Sequence, residues 1–141
     1  MQYPFAGSHA YRWLWLFAPL YFATPSQAED GQLDAHLEQA IDLDCDHILD
    51  GPYQSSGLHV EPGHCVNFRL TVINRGTESV KNLEIHENTP AFTVYQHSAT
   101  CSISDCVIIE PDTGGIGVIK AMLDTFGPEQ SLEFSFTVKV D

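Results

Sequence analysis

Acidic residues recur at alternate positions in one short segment of the chain. The four members, at relative positions 1, 3, 5 and 9, are Asp42, Asp44, Asp46 and Asp50. A calcium loop wraps a hard cation with alternating oxygen ligands of this kind. The segment departs from an EF-hand because His47 replaces the turn glycine and Tyr53 replaces the bidentate glutamate. Two interpretations therefore stay open: a weak calcium site, and a solvated acidic loop anchored by the adjacent Cys45.

Histidines form a second set of candidate metal ligands. His59 and His64 flank the turn at residues 62–63 and could meet there. A pair of imidazoles would suit zinc or copper. The alternative is that these are scattered surface histidines, and no Cys-x-His-x-Met cluster marks a copper protein.

Four cysteines indicate the compartment of the protein. They are Cys45, Cys65, Cys101 and Cys106. An even number in a short exported chain suggests two disulfides, and counting alone allows three connectivities. No Cys-x-x-Cys spacing supports a zinc knuckle or a thioredoxin-like site. Cys101 and Cys106 enclose a turn-like stretch short enough to close locally, so we expect Cys45 to pair with Cys65.

Common catalytic and nucleic-acid-binding patterns do not occur in the sequence. It contains no Gly-x-Ser-x-Gly elbow, phosphate-binding loop or His-Glu-x-x-His motif. With 19 acidic against 6 basic residues, the formal net charge is −13. A phosphate-binding surface needs clustered Lys and Arg, so the charge argues against nucleic-acid partners. We therefore expect neither an enzyme nor a cofactor other than the calcium of the acidic segment.

The N-terminus has the features of an export signal. One arginine and no acid precede an apolar run from Trp13 to Ala23, and small residues follow at Ser26 and Ala28. The run is shorter than the roughly 20 residues that a membrane-spanning helix requires. The sequence predicts a signal peptide over residues 1–28 and a periplasmic or secreted mature protein that spans no membrane. An uncleaved anchor or a buried helix is the alternative.

The rest of the chain follows the two-residue periodicity of β-strands. The clearest strand has alternating apolar residues whose face we expect at the centre of the core: Leu132, Phe134, Phe136, Val138 and Val140. Further runs occupy residues 66–72, 80–86, 92–96, 107–109 and 116–122. Residues 33–41 fit either a helical face or an edge strand, and we predict a strand there. About seven short strands with Gly and Pro turns predict an all-β antiparallel sandwich.

Three segments occur in an order that matches a known pattern. Residues 61–76 run from a Pro-Gly turn through a strand ending Asn-x-Gly, residues 80–90 form a strand closing on an acid and Pro, and residues 123–138 form a final turn and strand. Together they resemble the bacterial conserved-repeat domain, family 11 among the domains of unknown function. Two departures are Glu87-Asn88-Thr89-Pro90 for Asp-x-Leu-Pro, and Gly127-Pro128-Glu129 for Pro-Gly-Glu.

The resemblance implies an immunoglobulin-like sandwich over residues 58–141. A longer acidic N-terminal region, residues 29–57, which includes the first strand, would precede it. The family is found in bacterial envelope and surface proteins and carries no known catalytic residues. It implies a non-catalytic structural or binding module of the cell envelope whose partner is an envelope protein or a surface component. The alternative function is that of a calcium- or transition-metal-binding periplasmic protein.

Overall fold

Strands provide the regular secondary structure of the computed structural model, which describes residues 21–23 and 32–141. In chain order they are β1 (Tyr21–Ala23), β2 (Leu33–Asp42), β3 (Cys65–Asn74), β4 (Val80–Asn88), β5 (Thr93–Cys101), β6 (Val107–Ile109), β7 (Val118–Phe126) and β8 (Ser131–Val140). They form two antiparallel sheets, ordered β1-β4-β7-β6 and β2-β3-β8-β5. The described residues contain no helix. The predicted all-β antiparallel sandwich is confirmed.

The ambiguous segment near residue 33 is a strand. Strand β2 pairs with β3 along its whole length, from Leu33 opposite Asn74 to Asp42 opposite Cys65. Its apolar positions at every second residue, such as Leu37 and Ile41, pack against the core. The helical alternative for this segment is wrong, because the two-residue period places its apolar side chains on one face of a sheet.

Strand β8 lies at the centre of its sheet, between β3 and β5. Its five alternating apolar residues are all buried, and Phe134 and Val138 are completely enclosed. Phe68 of β3 stacks on Phe136 with ring centroids 5.2 Å apart. The predicted central strand and its inward face are confirmed.

Strand β5 is longer and less regular than its sequence suggests. Its pairing with β8 shifts register on both sides of His97. Pairing resumes with Thr100 opposite Ser135. Apolar and polar residues do not alternate between these points, so the two-residue pattern ends at the irregularity even though the strand continues. His97, with a φ of 132°, lies at this irregularity.

A buried amide joins the ends of the two sheets. Asn74 ends β3, and its side-chain nitrogen donates to the backbone carbonyls of Glu78 at 2.8 Å and Phe126 at 3.1 Å. Its side-chain oxygen accepts the N–H of Gly76 at 2.9 Å. One side chain thereby satisfies three backbone groups, two in the turn between β3 and β4 and one at the end of β7.

The predicted signal peptide, residues 1–28, lies outside the described residues apart from β1. The backbone of β1 pairs antiparallel with Glu84, Ile85 and His86 of β4. Cleavage after Ala28 stays a prediction. In the part of the chain that the structure describes, no helix is long and apolar enough to cross a membrane.

Candidate functional site

The acidic loop, residues 42–50, is folded around its own first carboxylate. Asp42 ends β2 and is only 1% exposed. Its two oxygens accept the backbone N–H groups of Asp46 at 3.1 Å and His47 at 2.9 Å. Asp50 closes the far end, where its Oδ2 accepts the N–H of Leu43 at 2.7 Å. Carboxylates at both ends of the loop therefore fix its backbone.

Both disulfides join the cysteines that the spacing favours. Cys45 of the acidic loop bonds to Cys65, the first residue of β3, with Cα atoms 5.2 Å apart. Cys101 bonds to Cys106 across the turn between β5 and β6, with Cα atoms 6.3 Å apart. All four cysteines are paired, so the predicted connectivity is confirmed. Two disulfides are typical of an oxidising, extracytoplasmic environment.

Three of the four predicted calcium ligands converge. Carboxylate oxygens of Asp42, Asp44 and Asp50 lie within 4.8 Å of one another. Asp46 stands outside this group, because its Oδ1 accepts the N–H of Ile48 at 2.8 Å. Desolvation, together with the negative charges of Asp46 and Asp50, raises the pKa of Asp44 above its ordinary value. A cation among the three carboxylates would relieve this repulsion.

The histidines that come together are not the two suggested by the turn at residues 62–63. His64 uses its Nδ1 to accept the N–H of Glu61 at 3.2 Å. Within the described residues no histidine belongs to a group of three metal-ligating side chains. The rings that meet are His47 of the acidic loop and His97 of β5, with centroids 4.4 Å apart and planes at 87°. No sequence spacing connects these two residues, so the sequence analysis missed them.

The two rings line a polar cleft on the outer face of the β2-β3-β8-β5 sheet. The cleft has a volume of about 200 Å³ and includes Asp42 and the hydroxyls of Ser135 and Thr137 in its lining. It holds side chains that can bind a cation or hydrogen-bond its water ligands.

The floor of the cleft is held by a chain of polar contacts. The Tyr53 hydroxyl donates to Oδ1 of Asn67 at 2.7 Å, and Nδ2 of Asn67 donates to the Thr137 hydroxyl at 2.9 Å. The Arg69 guanidinium lies 3.6 Å from the centre of the Tyr53 ring and donates to Glu38 at 2.6 Å. The Glu38 hydrogen bond raises the pKa of Arg69. The cleft is therefore a preformed part of the sheet surface.

Apolar side chains cover the outer face of the other sheet near its β6 edge. This surface, the β6–β7 face, consists of Val107 and Ile109 on β6, Val118 on β7 and the preceding Ile116. Their exposed fractions are 55%, 51%, 44% and 74%, in that order. Exposed apolar groups clustered on one surface are typical of interaction sites, whereas single ones carry no meaning.

The β6–β7 face is next to an open sheet edge and an acidic cleft. Strand β6 pairs with β7 alone among the described strands, so its other side has no ladder partner there. Asp105 and Asp124 line a cleft of about 220 Å³ beside it. An open edge is a template for pairing with another strand.

A buried carboxyl group lies on the inner face of the same sheet. Glu87 of β4 is completely enclosed, and neither of its oxygens has a hydrogen-bond partner among the described residues. Burial raises its pKa from an ordinary 4.5 to about 8. The group is therefore protonated at pH 7. Because it is enclosed, it offers no surface to a substrate.

Comparison of the chain with protein-family models, with curated proteins and with solved structures finds no match. The resemblance to the bacterial conserved-repeat domain therefore stays a prediction.

Proposed function

We propose that the chain is a non-catalytic, exported binding module of the bacterial cell envelope, periplasmic or secreted, that contacts a partner protein through the β6–β7 face. The observation that carries this proposal is the exposure of three β-branched side chains beside an open edge: Val107, Ile109 and Val118. Two disulfides favour an oxidising destination. The resemblance of residues 58–141 to an envelope domain supports the same function.

The apolar side chains of the face and the acidic residues near it indicate what kind of partner would bind there. Both outward-facing residues of β6, Val107 and Ile109, are apolar, whereas the β7 residues opposite them are Met122 and Lys120. The nearby acidic pair, Asp105 and Asp124, together with a net charge of −13, favours a partner with positive charge. The occupant is an extended strand of an envelope protein, apolar on one side and carrying Lys or Arg.

A photo-crosslinking amino acid placed at position 107 or 109 tests this proposal in the native envelope. We expect both positions to capture the same protein, and the captured peptide to be an apolar segment containing Lys or Arg. A charge on an edge strand blocks pairing. Ile109→Lys should therefore abolish capture from position 107 without unfolding the chain, as checked by circular dichroism.

Position 36 supplies the matched control. His36 lies on β2 in the other sheet, and its side chain is 64% exposed. Capture of the same proteins from position 36, or capture from position 107 that survives Ile109→Lys, would overturn the proposed docking surface. Export is tested separately, because the exported protein should have an intact mass that begins at Glu29.

A second candidate function is calcium binding by the acidic loop. The observation in its favour is the convergence of Asp42, Asp44 and Asp50. The missing turn glycine and bidentate glutamate argue for a weak site, toward the ~10⁻⁴–10⁻³ M of extracellular modules. The melting temperature in about 10 mM calcium should be higher than in chelator, since this concentration is roughly 10–100 times the expected Kd and would stabilise the fold by about 1–3 kcal/mol.

The acidic loop provides its own control for the calcium experiment. Asp44→Asn should remove the calcium effect on the melting temperature, whereas Asp46→Asn should keep most of it because Asp46 lies outside the convergent group. Magnesium should raise the melting temperature less than calcium does, because it requires a tighter octahedral coordination. Equal melting temperatures with calcium and with chelator would leave a solvated acidic loop.

A further inference from the structure

We propose that His47 and His97 form a binding site for a divalent transition-metal ion, whose protein ligands are the two imidazoles rather than the convergent carboxylates of the acidic loop. Their ring centroids are 4.4 Å apart, although one residue lies in the acidic loop and the other in β5. Imidazole nitrogen is a ligand for zinc, copper and nickel, whereas calcium takes oxygen ligands.

The ring nitrogens of this pair have no hydrogen bonds within the described part of the chain, in contrast to those of two of the other four described histidines. No described residue forms a hydrogen bond with the His47 or His97 ring. The His64 and His86 rings do have such partners, in Glu61 N–H and the Glu84 carboxylate. Two unengaged imidazoles that meet in a cleft can both give a lone pair to the same ion.

The backbone holds the two rings together before any ion binds. His47 has φ of 75° and His97 has φ of 132°, both in a region that L-residues seldom occupy. The His47 N–H is fixed by the buried Asp42 carboxylate, and the Cys45–Cys65 disulfide ties its loop to β3. His97 stands at the register shift between β5 and β8. Both side chains are therefore directed by rigid elements, as a preorganised site requires.

The surroundings favour a cation with exchangeable water ligands. Asp42 lines the same cleft, and its negative charge attracts a cation. The hydroxyls of Ser135 and Thr137 also line the cleft and can accept or donate hydrogen bonds to water on the metal. Two protein ligands leave the remaining coordination positions to water. By the general order of divalent affinities, copper should bind more tightly than nickel or zinc.

The test uses the tag-free mature chain, with copper(II) and zinc(II) as probes in a non-coordinating buffer. Isothermal titration should give one equivalent of tightly bound copper, and electron paramagnetic resonance should show two imidazole nitrogens on the ion. Loss of an outer-shell partner alone commonly weakens metal binding by about 10–100-fold. We therefore expect His47→Gln and His97→Gln each to weaken binding by more than about tenfold, with a single nitrogen left on the copper.

His36→Gln is the matched control, since His36 is an exposed histidine on the same sheet, and it should leave affinity and spectrum unchanged. Asp44→Asn separates this site from the carboxylate group and should also leave both readouts nearly unchanged. Circular dichroism of each variant establishes that it is folded. An oxygen-only copper spectrum, or equal affinities for the wild-type chain and His97→Gln, would overturn the proposal. Loss of binding in Asp44→Asn with retention in His97→Gln would do the same.

Discussion

Replacement of Glu87 by glutamine should stabilise the protein at neutral pH. The side chain is completely buried on the inner face of β4, opposite Ile119, without a hydrogen-bond partner among the described residues. Burial penalises the charged form, so the folded state keeps a proton that the unfolded chain releases. Glutamine has the same shape and carries no charge, which removes the need to retain that proton.

The sign and size of the effect follow from the two pKa values. The pKa of Glu87 is about 8 in the folded protein, against an ordinary 4.5. Below both values the group is neutral in both states and has no ionisation cost. Between them, folding takes up one proton, so stability falls by about 1.4 kcal/mol per pH unit as the pH rises. The wild-type chain should therefore lose about 2–3 kcal/mol relative to Glu87→Gln between pH 5 and pH 7.

Urea unfolding followed by circular dichroism, repeated across this pH range, measures the difference. Glu84→Gln on the same strand is the control, because Glu84 faces outward and its hydrogen bond with His86 lowers its pKa. A carboxyl group whose pKa is lowered by folding stabilises the fold at pH values above its unfolded pKa, and this stability is lost on acidification. The effect of Glu84→Gln on the free energy of unfolding should therefore have the opposite sign. Parallel stability curves for the wild-type chain and Glu87→Gln would refute the argument, because they would mean that Glu87 ionises normally.

Three further substitutions test the core, the turn and the disulfide by equilibrium unfolding. Phe134→Ala should cost about 3–5 kcal/mol, whereas Ile116→Ala, at 74% exposure, should change stability by less than about 0.5 kcal/mol; equal effects would contradict the assigned inward face. Asn74→Ala should cost about 1–3 kcal/mol, because it leaves buried backbone carbonyls without a donor; a neutral result would mean that water replaces the amide. Replacing Cys45 and Cys65 by serine should cost about 2–4 kcal/mol, and unchanged stability would mean that the bond does not restrict the unfolded chain.

The fold was predictable because its strands carry a regular two-residue period. The alternation from Leu132 to Val140 is buried at every apolar position in β8. The turn at Asn74 was also visible, but the reason for the asparagine was not, because its partners include the distant Phe126 carbonyl. The sequence underestimated the length of β5, since the register shifts at His97 interrupt the alternation within a continuous strand.

The candidate sites were predictable only where their residues are neighbours in sequence. The acidic loop could be recognised from alternate aspartates, and three of its four carboxylates converge. The backbone of the loop determines which carboxylate lies outside the group, because Oδ1 of Asp46 accepts a hydrogen bond from the N–H of Ile48. The contact between His47 and His97 depends on an irregular strand and a disulfide together, so no local spacing predicts it.

The two proposed surfaces lie on different sheets, yet the structure links the strands that carry them. His97 lies on β5 and the β6–β7 face begins on β6, with the Cys101–Cys106 disulfide across the turn between these strands. The Tyr95 hydroxyl donates to Glu110, just beyond β6, at 2.7 Å, and the Ala99 N–H donates to the same carboxylate at 3.0 Å. Burial and the Glu110 hydrogen bond raise the pKa of Tyr95, which keeps its donor proton in place. These contacts hold β5 against the segment after β6. Because the proposed metal site and the β6–β7 face lie on different sheets, we expect occupancy of one to leave the other accessible.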